Sequence, residues 1–334
     1  MNGSISGIYA NASTFFVTNP VNSGNSNSLF DHSSASLRVE QWQNTNRVGL
    51  TRYGIADYST GIASPFGINS IISYHKSSGS SLVEVRVNGT NQNLNIGSTT
   101  AGIPLDRIGR NSNGADEASG DFFEIIFYNS NLNTAQKIIV DNYLSAKFGS
   151  IPIINDVYNE DNIAAGNYDH DVAGIGRVNA SNLHDDSQGT GIVRVLNPSN
   201  LNNNEFFMWG HDNNTFQMST GLNAPEIIKS RLNRIWRVSE VNTSGTPVDV
   251  GAIDIRFDLT GISGVNTTNL RLLIDTDNDG LFNDETPILG ATNLGSNVFS
   301  FTSVNSLANN NRFTIGIAVT TVITNRKITY RVNN

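Results

Sequence analysis

The sequence predicts an all-β protein with a single helix. Three observations support this prediction: apolar residues alternate with polar ones in short runs, turn-forming residues separate the runs, and one stretch alone has helical spacing. About one residue in seven is Asn, whereas only 15% of the residues are charged. Asn, Asp, Ser and Gly favour turns, so many short strands joined by loops are expected.

The predicted strands follow one another along the whole chain. Their period of two and their content of Val, Ile, Phe and Tyr are typical of strands. In order they are STFFVTN, SLRVEQW, NSIISYH, SLVEVRVNGT, FFEIIFYN, GIVRVLN, EFFMWGHD, RIWRVSEV, AIDIRFDL, LRLLID, VFSFTSV and RFTIGIAV. The blocks share no common sequence period, so an array of short repeats is not indicated.

The helix is predicted over residues 131–149, NLNTAQKIIVDNYLSAKFG. Asn133 or Thr134 can cap its N-terminus, and Gly149 can end it. The residues at helical intervals are Ala135, Ile138, Ile139, Asn142, Tyr143 and Ala146.

The length predicts two domains, because 334 residues exceed the usual size of one domain. One β-rich block precedes the helix and another follows it, so we expect the linker near residues 149–156. The predicted domains are 1–150 and 151–320. Residues 321–334 are expected to be a tail or the start of a downstream segment.

The composition argues against several classes of function. A net charge of −8 disfavours nucleic acid, whose binding depends on Lys and Arg. The chain has no Cys, which excludes disulfides and thiolate zinc sites and leaves oxygen-ligated calcium as the metal that fits. No apolar run approaches the ~20 residues needed to cross a bilayer, and no signal sequence is visible at the N-terminus. We expect a mature product or a piece of a longer protein.

No sequence motif of a reactive centre is present. The chain lacks HExxH, GxSxG and GKS or GKT sequences, and its five His residues are scattered. A glycosidase needs two carboxylates that face the same bond. Glu117, Asp121 and Glu124 form the dense acidic cluster of the first block, but the odd spacing of Asp121 and Glu124 places them on opposite faces of a regular strand. We therefore predict that the protein is not an enzyme.

Several segments resemble a known family. VEVRVNGT, LDRIGR and GDFFEIIFYNSNLNTAQKIIVDNYLSAKFG resemble the C-terminal half of a laminin-G-like, concanavalin-A-like jelly roll of large Bacteroidota surface proteins. The resemblance covers most of residues 10–150. HDVAGIGRVNAS, FFMWGHDN, RIWRV and LLIDTDNDG are similar to the uncharacterised β-domain that commonly follows this jelly roll in flavobacterial secreted proteins.

The resemblance implies a jelly-roll sandwich with one closing helix, followed by a second β-sandwich. It also implies an extracellular or outer-surface location reached by type IX secretion. The secretion machinery and the neighbouring domains of a longer chain would then be partners.

A lectin-like fold does not establish sugar binding, because function depends on the site. Trp42 and Tyr53 lie among polar residues, where exposed aromatic rings can stack on sugars. With Asn88 they are the predicted ligand-binding residues, whereas Trp209 and Trp236 have apolar neighbours and are expected in a core. We predict an adhesin fragment that contacts a glycan. The alternatives are a structural spacer of a surface filament and a glycoside hydrolase or its accessory module.

DTDNDGLFNDE, residues 275–285, predicts a calcium site with a structural role. Three carboxylates at alternate positions repel one another unless a cation lies between them, and Gly280 permits a sharp turn. The segment is not an EF-hand, because loop position 12 is Thr286 and the preceding NLRLLI is strand-like. The predicted ligands are Asp275, Asp277, Asp279, a backbone carbonyl near Leu281, and Asn283, Asp284 or Glu285. A solvated acidic turn without metal is the alternative.

Overall fold

The computed structural model describes residues 2–24, 26–42, 45–111, 114–188 and 192–319. The predicted segment 321–334 lies outside these ranges. Within them the chain is almost entirely β, with one α-helix and one short 3-10 helix, which confirms the predicted fold class. No helix of the described ranges is long and apolar enough to span a membrane.

The strands before the helix form a jelly-roll sandwich. They are β1 Asn2–Tyr9, β2 Ala12–Pro20, β3 Asn27–His32, β4 Ala35–Glu40, β5 Arg47–Arg52, β6 Ala56–Ala63, β7 Ser70–Lys76, β8 Leu82–Val87, β9 Thr90–Asn95, β10 Ile103–Ile108 and β11 Gly120–Tyr128. One sheet has the order β1-β10-β3-β4-β5-β6 and the other β11-β2-β7-β8-β9. Phe16 of one sheet and Phe30 of the other meet in the core, with ring centroids 4.6 Å apart. The chain thus passes repeatedly from sheet to sheet around one apolar layer.

The strands after the helix form a second sandwich. They are β12 His170–Asn179, β13 Asn182–His184, β14 Asp186–Ser187, β15 Val193–Leu196, β16 Glu205–His211, β17 Met218–Ser219, β18 Ile228–Leu232, β19 Trp236–Asn242, β20 Ile253–Asp258, β21 Leu270–Asp275, β22 Thr292–Gly295, β23 Val298–Val304 and β24 Arg312–Ala318. One sheet has the order β13-β12-β16-β19-β24-β18-β17, with β21 also paired to β24, and the other β14-β15-β20-β23-β22. Trp209 and Trp236 are each 1% exposed, as expected for core residues. Trp236 stacks on Phe313 and meets Phe257 of the facing sheet edge-on.

Helix α1, Thr134–Lys147, begins and ends where the sequence predicts. The Asn133 side chain accepts a hydrogen bond from the Gln136 backbone N–H, and the Gln136 side chain accepts one from the Asn133 N–H. This capping box satisfies two amide groups at the helix start. The chain then leaves the helix through Gly149, whose φ of 84° favours glycine.

Helix α1 packs against both sandwiches. Leu144 belongs to an apolar cluster with Phe15 of the first sandwich. Ile138 belongs to another cluster, with Phe206 of the second. The helix therefore does not close the first sandwich alone, and the boundary near residues 149–156 stays a prediction.

Charged residues also tie α1 to the first sandwich. Asp141 Oδ2 lies 2.7 Å from Arg86 Nη2, and Lys137 Nζ lies 2.7 Å from Glu84 Oε2. Burial raises the pKa of Asp141, and the Arg86 guanidinium opposes that shift. A buried ion pair needs its partner to offset the cost of desolvation, so this contact holds the helix against β8.

Candidate functional site

A cavity of about 450 Å³ lies on the outer face of the six-stranded sheet. Arg38 and Thr51 line it, and they alternate along β4 and β5 with the core residues Leu37 and Leu50. Side chains of a strand alternate between the two faces, so a core-facing Leu places its neighbour on the outside. The lining residues are Arg38, Trp42, Thr51, Arg52, Tyr53, Gly54, Ile55, Ala56, Asp57, Asn111 and Asp116.

Trp42 presents its indole at this cavity. Its side chain is 51% exposed, and its backbone N–H donates to Gln41 Oε1 at 2.7 Å. Gln41 is buried, and its Nε2 donates to the carbonyls of Leu50 and Tyr58. The buried Gln41 amide therefore holds the Trp42 backbone at the edge of the cavity. Ile55, also exposed, lines the same cavity.

The floor of the cavity is a polar network around Arg38. Its Nη2 lies 3.0 Å from Asp116 Oδ2, and its Nε donates to Thr51 Oγ at 3.0 Å. Thr51 Oγ donates to Asp57 Oδ1 at 2.6 Å. Arg38 is only 1% exposed, and its Nη1 has no hydrogen-bond partner in the described part of the chain. The floor therefore contains a buried guanidinium nitrogen that is paired with no described residue.

Tyr53 connects the cavity wall to a buried carboxylate. Its hydroxyl donates to Asp31 Oδ2 at 2.6 Å. Burial raises the pKa of Asp31, and the Tyr53 hydroxyl opposes the shift. Burial also raises the pKa of Tyr53, and Asp31 adds to that effect. Tyr53 therefore stays a hydrogen-bond donor to Asp31 at neutral pH, and it offers the cavity mainly its ring.

Asn88, the third predicted ligand residue, is not among the residues lining this cavity. It has a φ of 48° in the turn between β8 and β9. Its Oδ1 accepts from the Ile71 N–H at 2.8 Å, and its carbonyl accepts from the Ile154 N–H at 3.0 Å. These bonds stabilise the turn, and a ligand-binding role for Asn88 stays a prediction.

The geometric argument against a hydrolase is wrong in one respect. β11 has a bulge at Phe123, so Asp121 pairs with Asn19 and Glu124 with Val17. Those partners are two residues apart, which places Asp121 and Glu124 on the same face. Glu124 Oε2 lies 2.7 Å from Lys147 Nζ, so this carboxylate is already paired within the protein.

The predicted metal loop brings three carboxylates together. One ligand oxygen from each of Asp275, Asp277 and Asp279 lies within 4.8 Å of the others. Two oxygens bound to one calcium ion at 2.3–2.6 Å lie up to about 5 Å apart, so the cluster has the right size. Asp277 and Asp279 each also accept a backbone N–H two residues ahead, which folds the loop.

Asp275 supplies the strongest indication of a cation. It is fully buried at the end of β21, and its Oδ2 accepts from the Gly280 N–H and from Arg312 Nη1. Its Oδ1 is also buried and has no hydrogen-bond partner in the described part of the chain. A buried carboxylate oxygen without a partner is costly unless a cation or water compensates it. The residues present therefore fit a calcium ion.

The other predicted ligands have different partners. Asn283 Oδ1 accepts from Asn223 Nδ2 at 2.9 Å. Glu285 accepts from the Thr276 N–H at 2.6 Å. Leu281 and Asp284 are exposed. Roles for these four residues in the metal shell stay predictions.

Sequence reasoning missed Arg38, Asp57 and Asp116 as cavity residues. Arg38 and Asp116 are 78 positions apart, and neither lies in a motif. Only the position of Arg38 beside alternating core residues indicates that it faces outward.

The chain belongs to the family described as a domain of unknown function, DUF8202. The match covers residues 136–311, more than half of the chain, and begins inside α1. No curated protein matches the chain. Among solved structures, the chain has a distant likeness to a heptameric SAP-like pentraxin from Limulus polyphemus. That likeness has 13% identity and a TM-score of 0.34 over 43% of this chain and 74% of the pentraxin.

Proposed function

We propose that this protein is a non-enzymatic module of an extracellular protein that contacts a glycan through the cavity around Trp42. The observation that carries the proposal is the half-exposed indole held beside a polar floor. The apolar face of a sugar ring stacks on an aromatic side chain, while its hydroxyls need polar partners around it. The outer-surface location and the neighbouring domains of a longer chain are part of the proposal and rest on the sequence resemblance.

A glycan array with a Trp42→Ala variant tests the proposal. Trp42→Ala should abolish binding without lowering the melting temperature, because the side chain is half exposed. Phe123→Ala is the matched control, since Phe123 is an exposed aromatic residue that does not line the cavity. Absence of any glycan binding by the parent would favour a structural spacer. Loss of both binding and stability in Trp42→Ala would mean that the ring is a core residue.

We further propose that the Asp275 loop holds a structural calcium ion, on the basis of the unpartnered Asp275 oxygen. The array run with calcium and with chelator separates two roles. A structural ion leaves glycan binding unchanged below the melting temperature. Binding that is lost in chelator and in Asp277→Ala, with stability intact, would mean that the metal serves recognition.

A further inference from the structure

We infer that the cavity selects neutral sugars over sugars that carry a carboxylate or sulfate group. The inference rests on the proposed glycan contact and concerns which glycans the same site accepts. It follows from how the charged groups of the cavity are paired.

The positive charges of the cavity are turned into the protein. Arg38 is buried and already bonded to Asp116. Arg52 is partly buried, and its Nη1 donates to the Ile96 carbonyl at 2.8 Å. A ligand anion would therefore have to compete with bonds that exist within the protein.

The carboxylates are closer to solvent. Asp57 is exposed and uses Oδ1 to accept from Thr51. Asp116 is partly buried and uses Oδ2 to accept from Arg38 and Asn111. Asp57 Oδ2 and Asp116 Oδ1 accept no hydrogen bond from any other described residue. Both oxygens are acceptors that a donor on the ligand can satisfy.

The placement of charge opposes an anionic ligand. The cavity lining holds two carboxylates, Asp57 and Asp116, and two guanidiniums, Arg38 and Arg52. Because the guanidiniums are bonded within the protein, the carboxylates are the charges that face a ligand. The whole chain adds a net charge of −8. A like charge brought into a partly desolvated site is repelled more strongly than in water.

Sugar hydroxyls match the groups that are available. A hydroxyl donates one hydrogen bond, so one hydroxyl can donate to Asp57 Oδ2 and another to Asp116 Oδ1. Hydrogen bonds to charged groups are the stronger ones. Neutral vicinal diols above the Trp42 ring therefore satisfy both carboxylates without adding charge.

The test compares oligosaccharides that differ only in oxidation at C6, such as galactose and galacturonate oligomers, by calorimetric titration. The parent should bind the neutral member at least about tenfold more tightly, a difference of about 1.4 kcal/mol. Asp57→Asn should reduce that ratio, because the amide keeps the size and removes the charge. Asp121→Asn, an exposed residue outside the cavity lining, is the control and should keep the parent ratio.

A second measurement needs no variant. Added salt screens repulsion between charges, so raising the ionic strength should improve binding of the acidic oligomer and leave the neutral one unchanged. Equal or tighter binding of the acidic oligomer that still depends on Trp42 overturns this inference and leaves the proposed function standing. If neither oligomer nor any array glycan binds, the proposed function fails and the inference fails with it.

Discussion

Asp275 shows how a single side chain can indicate a ligand. Its carboxylate is fully buried, and Arg312 compensates only one of its oxygens at 2.9 Å. Asp277 and Asp279 add two exposed carboxylates nearby. Because three anions share one loop with a single guanidinium, a divalent cation bound there would remove the remaining repulsion.

We predict that calcium stabilises the second sandwich. An ion that binds the folded state alone contributes about 2.7 kcal/mol at 100 times its Kd. Calorimetric melting with calcium and with chelator measures the effect. Asp277→Ala should remove it, whereas Asp185→Ala, an exposed acid outside the loop, should retain it. A transition that is the same with calcium and chelator would remove the site.

Among the elements, α1 decides how the two sandwiches are joined. Its Ile138 face and its Leu144 face pack into different apolar clusters. An amphipathic helix usually buries one stripe against one core, whereas α1 buries two. The family match that begins at residue 136 includes most of this helix.

We predict that two matched substitutions in α1 act on opposite sandwiches. Ile138→Ala and Leu144→Ala should each reduce the free energy of unfolding by about 2–5 kcal/mol, the usual effect of truncating a large buried side chain. Hydrogen exchange should increase first at β16 in Ile138→Ala and at β2 in Leu144→Ala. Identical exchange patterns in both variants would show that the helix has one cooperative environment.

At the scale of the whole molecule, buried carboxylates make stability depend on pH. Glu240 is 2% exposed, and burial raises its pKa to about 7. Burial also raises the pKa of Glu160 and of Asp156 to about 6 each. A group with a raised pKa binds its proton more tightly when folded. The stability that Glu240 contributes is therefore complete below its unfolded pKa of about 4.5 and is lost as the pH rises toward 7.

We predict that the free energy of unfolding depends less on pH in Glu240→Gln than in the parent. A shift of the Glu240 pKa from 4.5 to about 7 corresponds to a contribution on the order of 3 kcal/mol that the parent loses between pH 4.5 and 7. Urea unfolding at pH 5 and pH 8 measures it. Glu226→Gln, at an exposed site, should behave like the parent. If the free energy of unfolding changes between pH 5 and pH 8 by the same amount in Glu240→Gln and in the parent, then Glu240 is ionised in the fold throughout this range.

The sequence by itself determined the local features of this protein. Alternation predicted the strands, and the Asn133 cap and helical spacing predicted α1. The Asp275 cluster was readable because its three carboxylates lie within five consecutive residues. Such signals depend on neighbours along the chain, and a single sequence contains them.

Only the tertiary structure decided which distant residues share a site. The pairing of Arg38 with Asp116 depends on where the fold places Asp116 relative to β4. The bulge at Phe123 puts Glu124 and Asp121 on the same face of β11, whereas the sequence spacing predicted opposite faces. The Ile138 face of α1 is buried because the second sandwich, which follows the helix in the sequence, packs against it. The physical reason is that sheet order and register are set when the whole apolar surface of the chain is buried together. A local sequence pattern does not show which distant segments will share that buried surface.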